Sequence, residues 1–305
     1  MSSKVWLITG ATSGIGLALA EYVLSQGDSV IATGRSLAKF PSTLKDAGAK
    51  LLVLDLSSTD AEIRRAGEEA LKIYGHIDIL FNNAGFGLVV PVEELDLDDL
   101  RAQFQTNVFG AVALTQALLP SFRERKSGHI LNVSSMGAIA VGASWSAYCA
   151  SKAALDAFSE VLSMEVAPYN IRVLIVTPGF FATNFFQAST QLSTAKPSTI
   201  YTDQSQGYRS LEEIPKARAA AGQIGDVVKL SERLYEVVHG IGMAQGLVEG
   251  QGGKREWLRV PLGPDCGERM LHKIAVLEEN VKAFEPIWRS TDMEPEKLKL
   301  FTNIA

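Results

Sequence analysis

The sequence predicts an α/β fold, a doubly wound parallel sheet with helices on both faces. Three observations carry this. Short apolar runs alternate with longer helical patterns through the first 180 residues. Several of those runs are unbroken Val, Ile and Leu, as strands covered on both faces read. A glycine-rich turn joins the first run to the first helical stretch.

The first strand is expected at Val5–Thr9, where Val5-Trp6-Leu7-Ile8 is uniformly apolar. A helix follows at Ile15–Gln26, then strands at Ser29–Thr33 and Lys50–Leu54. Helical patterns at Ala61–Tyr74, Leu97–Arg125 and Ala147–Ala167 separate strands at Ile77–Asn82, His129–Val133 and Arg172–Thr177. Strand–helix alternation of this length implies right-handed crossovers and a parallel sheet. Ligands of such a sheet bind at the carboxyl ends of its strands.

Residues 184–225 break the pattern, being rich in Ser, Thr, Gln, Gly and Ala. They read as a substrate-loop insertion, either a flap over the cleft or a solvated excursion. Residues 226–305 then complete a single domain spanning 1–305, as a C-terminal extension. A helix is expected at Asp226–Val238, a last strand at Arg255–Pro261 and a closing helix at Glu268–Phe284.

Composition narrows the function. Hydrophobic residues make up 47% and charged residues 21% of 305 residues, with net charge −5. No basic block marks a nucleic-acid surface. No apolar run reaches the ~18 residues of a membrane span. The opening Met1-Ser2-Ser3-Lys4 carries no signal-peptide pattern. Cys149 and Cys266 are the only cysteines and have no metal or redox spacing; the four histidines form no cluster. A cytoplasmic, metal-free protein is the expectation.

The turn Thr9-Gly10-Ala11-Thr12-Ser13-Gly14-Ile15-Gly16 follows the first strand and opens the first helix. Glycines there permit a tight turn, close approach to a pyrophosphate and close helix–strand packing. Amides at the helix start favour the anion. At the end of the second strand, Gly34 stands where an NAD site would place a carboxylate, and Arg35 follows. A missing anion and a guanidinium suit the 2′-phosphate of NADP(H). Asp55, followed by Leu56, ends the third strand, placed either to accept from an adenine amine or to cap a helix.

In "YCASK", Tyr148 and Lys152 lie four residues apart and so on one helix face. Facing a cleft, the cation would lower the phenol below its usual ~10, tuned for proton transfer. On an ordinary amphipathic helix the same pair would be a half-buried ring and a solvated amine.

These pieces together resemble the main, non-extended branch of the short-chain dehydrogenase/reductase family. The matching motifs are T-G-x-x-x-G-x-G at Thr9–Gly16, "NNAG" at Asn82–Gly85, Asn107 in "QTNVFG", "ILNVSS" ending at Ser135, "YCASK", and Pro178-Gly179 before Thr183. The match is strong over 4–183 and weaker at "LRVPLGPD". The resemblance implies that Tyr148 is the acid/base, that Lys152 lowers its pKa and binds the nicotinamide ribose, and that Ser135, rather than its neighbour Ser134, holds the substrate oxygen. It implies that Asn107 kinks its helix and holds a water linking Lys152 to solvent. Asn83, Ala84 and Gly85 would line the cofactor cleft. Pro178, Gly179, Phe181 and Thr183 would meet the nicotinamide end.

Phe180, Phe181, Phe185 and Phe186 cluster after that site. They would wall an apolar substrate pocket or pack a core or interface. This run and the long tail look similar to hydroxysteroid-dehydrogenase-like and fungal ketoreductase-like members. The expected function is NADP(H)-dependent interconversion of a ketone and a secondary alcohol on a fairly apolar small molecule. The alternatives are an inactive NADP-binding regulator, or a dehydratase or epimerase, whose glycine motif would differ. The apolar faces of Leu97–Arg125 and Ala147–Ala167 suggest a homodimer or homotetramer.

Overall fold

The structure is a computed structural model that describes residues 3–192, 198–202, 213, 216, 222, 224–247 and 257–302. Seven strands form one sheet: β1 Val5–Ile8, β2 Ser29–Gly34, β3 Lys50–Val53, β4 Ile79–Asn82, β5 Gly128–Val133, β6 Ile171–Pro178 and β7 Arg259–Leu262. Their order is β3-β2-β1-β4-β5-β6-β7, and each adjacent pair is parallel. The order reverses between β1 and β4, which opens a crevice at their carboxyl ends.

The first helices are α1 Gly14–Ser25, α2 Ser42–Asp46, α3 Asp60–Tyr74, α4 Leu97–Phe104, α5 Gly110–Arg125 and α6 Ser146–Val166. After β6 come α7 Phe185–Leu192, α8 Val227–His239, α9 Pro264–Ala283, α10 Glu285–Arg289 and α11 Pro295–Thr302. The strand period sorts side chains between two cores. Trp6 and Ile8 of β1 join Leu19 and Val23 of α1 and Leu230 and Leu234 of α8. Val5 and Leu7 face the other way, against Ile63 of α3 and Leu114 and Phe122 of α5. Uniform burial of β1 and β4 explains their unbroken apolar sequence.

Several expectations change. The single helix foreseen at Leu97–Arg125 is two, divided by a π-helical turn at Gln105–Phe109. Such a turn inserts a residue into the hydrogen-bond ladder without altering the apolar period enough to be read. The last strand begins at Arg259; residues 255 and 256 of the foreseen strand lie outside the described residues. Its Pro261 is tolerated because β7 is an edge strand. The foreseen closing helix starts earlier, at Pro264; its first turn packs on the end of β6 through buried Asp265 and Cys266, while its later turns stand out from the body. Leu271, Ile274, Leu277 and Val281 on it are half or more exposed. Much of the insertion foreseen at 184–225 lies outside the described residues; its first part is α7. No helix among the described residues is long and apolar enough to cross a membrane.

Candidate active site

The glycine turn sits at the carboxyl end of β1. Gly10 has φ +64°, a conformation that favours glycine. Thr9 Oγ1 accepts from the amides of Asn83 (2.9 Å) and Ala84 (3.0 Å), and Asn83 Nδ2 donates to Thr9 O (2.9 Å). The end of β4 is thereby stitched to the turn. Ser13, at the start of α1, makes no side-chain cap. A helix start with uncapped amides is an anion site.

A Cβ on Gly34 would lie 2.6 Å from Thr12 Cγ2. The turn itself therefore leaves no room there for a carboxylate side chain. Arg35, exposed, follows at the mouth of the cleft. Asp55 Oδ1 accepts from the amide (2.9 Å) and hydroxyl (2.7 Å) of Ser57. It caps no helix: Thr59 does that for α3, in a reciprocal pair with Glu62.

The cleft is a cavity of about 680 Å³. It brings together Gly10, Thr12, Ser13, Gly14, Ile15, Arg35, Asp55, Leu56, Asn83, Ala84, Gly85, Ser135, Tyr148, Lys152, Pro178, Gly179, Phe181 and Thr183. Gly16 and Asn107, also foreseen at the site, do not line it. Gly16 is buried under the turn, where an added Cβ would stand 2.6 Å from Gly10 O; it serves helix–strand packing. Asn107 is 1% exposed, on the π-helical turn. Its Oδ1 accepts from Phe86 N (3.1 Å), and its Nδ2 donates to Phe86 O (3.0 Å) and Ser151 Oγ (3.0 Å). The side-chain amide is spent holding the loop after β4 against α6.

Tyr148 and Lys152 lie on the first turns of α6. Ser135 follows β5, its Oγ accepting from Gly137 N (3.1 Å), and its hydroxyl stands beside the Tyr148 phenol. The expected lowering of the phenol does not occur. Burial pushes Tyr148 up to about 12, with Ser135 pulling the other way. Lys152 Nζ is 5.9 Å from the ring centroid and donates instead to Val133 O, at 2.7 Å. Burial lowers Lys152 to about 8, opposed by the Asp156 carboxylate.

The phenylalanine cluster divides. Phe185 packs on Tyr148 at 5.6 Å, and Phe180 stacks on Phe186 at 5.8 Å, all lining the cleft. Phe181 also packs against the core of α1 and α8 and lies over Gly225. Sequence reasoning missed Trp145, whose ring meets both Tyr148 (5.5 Å) and Phe186 (6.1 Å). Its position three residues before Tyr148 was the available signal. Asp265 was missed too. Buried at the start of α9, it accepts from Phe180 N at 3.1 Å and holds the backbone beside Gly179.

The family model of the short chain dehydrogenases matches residues 4–193. The chain belongs to this family. This short-chain dehydrogenase is 37% identical over 195 residues to Oxidoreductase BOA17 of Botryotinia fuckeliana, covering 63% of this chain and 71% of that one. It is 37% identical over 186 residues to the 3-ketodihydrosphingosine reductase of Bacteroides thetaiotaomicron, covering 61% and 66%. Its fold matches a crystal structure of a short-chain dehydrogenase from Streptomyces avermitilis with TM-score 0.77 and 34% identity, over 96% of this chain and all of that one. The protein is accordingly an oxidoreductase whose fold takes a nicotinamide cofactor. The glycine cradle, the uncapped start of α1 and Arg35 fit a dinucleotide in the cleft.

Proposed function

We propose that the protein is an NADP(H)-dependent reductase of a ketone on a fairly apolar small molecule. One observation carries the reading: Ser135, Tyr148 and Lys152 open into the same cavity as the glycine turn and Arg35. The cofactor, when bound, supplies hydride to a carbonyl carbon. The hydroxyls of Ser135 and Tyr148 donate to the carbonyl oxygen as negative charge builds there. Tyr148 hands over its proton, and the Lys152 ammonium stabilises the phenolate left behind. A phenol pushed up to about 12 is protonated at neutral pH. The proton to be delivered is in place, and the Lys152 ammonium lowers the cost of releasing it; an NADPH-preferring site serves the reductive direction. Trp145, Phe180, Phe185 and Phe186 give the substrate side its apolar wall. The relative named a 3-ketodihydrosphingosine reductase also takes a keto group. The test is NADPH oxidation followed at 340 nm with a panel of apolar ketones. No turnover with any of them would defeat the reading.

The cofactor preference rests on Gly34 and Arg35. A 31% identical metagenomic short-chain oxidoreductase, with TM-score 0.55 over 59% of this chain, was crystallised with NADP. A charge-assisted hydrogen bond contributes ~1.5–3 kcal/mol. Arg35→Ala should therefore raise the apparent NADPH constant about 10–100-fold and leave that for NADH nearly unchanged. Equal effects on both would remove the phosphate assignment.

The assembly belongs to the same proposal. Phe158, Val161 and Met164 on α6 and Phe109 beside α5 are about half exposed or more. We read them as the contact face of a homodimer or homotetramer; a single-chain mass by light scattering at micromolar concentration would count against it. A cytosolic setting accords with Cys149 and Cys266, both free and buried. The described start of the 184–225 segment, through Phe185 and Phe186, borders the proposed substrate side of the cleft.

A further inference from the structure

Asp156 has no place in the chemistry above, yet it lies one turn beyond Lys152 on the same face of α6. Only 6% of it is exposed. Its Oδ2 pairs with Arg259 Nη1 of β7 at 2.5 Å. Arg259 also reaches Thr177 Oγ1 at 3.4 Å and Glu160 Oε1 at 3.3 Å, and its backbone is in register with Ile175 of β6. Burial raises the Asp156 carboxyl above the usual carboxylate range, and Ser134, Arg259 and Lys152 pull it back towards its charged form. The pairing with Arg259 makes a carboxylate tolerable at this depth and holds it one turn from Lys152.

We propose that Asp156 is a positioning residue for Lys152. Anchored by Arg259 of the last strand, it is the buried counter-charge that keeps the lysine an ammonium inside the cleft. The inference rests on the reading of Tyr148 and Lys152 given above.

The surroundings of Lys152 leave this role to Asp156. From its own helix it meets Tyr148, and from β5 the Val133 carbonyl. Asn107, from the π-helical turn, shares its neighbourhood at Gly85 but is uncharged. Among the described residues, Asp156 is the charged side chain whose field acts on the ammonium. Arg259 reaches it only through Asp156. The sign follows. Burial lowers Lys152 to about 8, and Asp156 opposes that lowering. The cation is present below that pH and lost above it. Removing the Asp156 charge drops the lysine further, so the loss on the alkaline side begins at lower pH.

The experiment compares the wild type with Asp156→Asn and Asp156→Glu. An opposite charge within ~4–6 Å is worth ~1–3 pH units. Asp156→Asn should move the alkaline limb of kcat/KM down by about 1 unit or more, a loss of roughly fivefold at pH 8 that recovers as pH falls. Asp156→Glu should restore the limb. A merely structural role would lower thermal stability or rate equally at every pH and leave the limb in place; that outcome overturns the proposal. The Lys152 13Cε resonance, titrated by NMR in the cofactor-free protein, separates this from the functional reading. It should titrate near pH 8 in the wild type and lower in Asp156→Asn whether or not any ketone is turned over. Identical titrations in the two proteins would also overturn the proposal.

Discussion

Tyr148→Phe should lower ketone-reduction turnover by ~10²–10⁴-fold, the range general acid catalysis supplies. The loss should be in chemistry alone. Phenylalanine keeps the ring between Trp145 and Phe185, so the aromatic wall stays filled. It removes only the hydroxyl, which stands beside Ser135. NADPH binding, followed by quenching of protein fluorescence, should stay within a fewfold of wild type, because we assign the phosphate and ribose ends of the cofactor to the glycine turn, Arg35 and Lys152. kcat should therefore fall far more than the cofactor constant rises. Turnover retained in this variant would remove Tyr148 as the acid. Loss of turnover together with loss of cofactor binding would instead point to a collapsed cleft.

That experiment turns on a pair of residues the sequence makes conspicuous, and the contrast with what it concealed is instructive. Motifs whose meaning lies in spacing along one element were readable: the glycine turn, "YCASK" and Arg35 after β2 each carry their geometry within a few residues. The doubly wound fold was readable for the same reason, since burial on both faces of β1 and β4 leaves an unbroken apolar run. Contacts between elements far apart in the chain were not. Arg259 meets Asp156 across 103 positions, and Asp265 meets Phe180 across 85. The direction of the Tyr148 shift was also hidden. Four-residue spacing places the ammonium on the right face, but it does not reveal that Val133 O would accept its hydrogen bond, nor how deeply the phenol is buried. Asn107 shows a third kind of gap. Its motif singles out the residue for the site, whereas in the structure it stands behind the cleft, and the work of its amide, bracing Phe86 against Ser151, depends on the π-helical turn that periodicity smooths over.

Gly16→Ala should be the most damaging single-methyl change in the nucleotide half of the cleft. The added carbon would lie 2.5 Å from Asn83 Nδ2 and 2.6 Å from Gly10 O, both far inside contact distance. The backbone oxygen cannot turn aside, so α1 must move off the turn. Overpacking of this kind costs ~1–3 kcal/mol. If that strain falls on the turn proposed to meet the pyrophosphate, NADPH affinity should drop roughly 5–150-fold, with kcat at saturating cofactor close to wild type. Asn83 decides whether the strain is local. Asn83→Ala alone loses the bond from Nδ2 to Thr9 O, but in the double variant it also removes one of the two atoms in the way of the new methyl. The pair should accordingly be less damaging than the sum of the single changes, by a coupling of about 0.5 kcal/mol or more in a double-mutant cycle on cofactor affinity. Strict additivity would mean that Gly10 O alone carries the clash. An unchanged affinity in Gly16→Ala would mean that α1 and the turn can separate without disturbing the dinucleotide site, and the packing role assigned to this glycine would be lost.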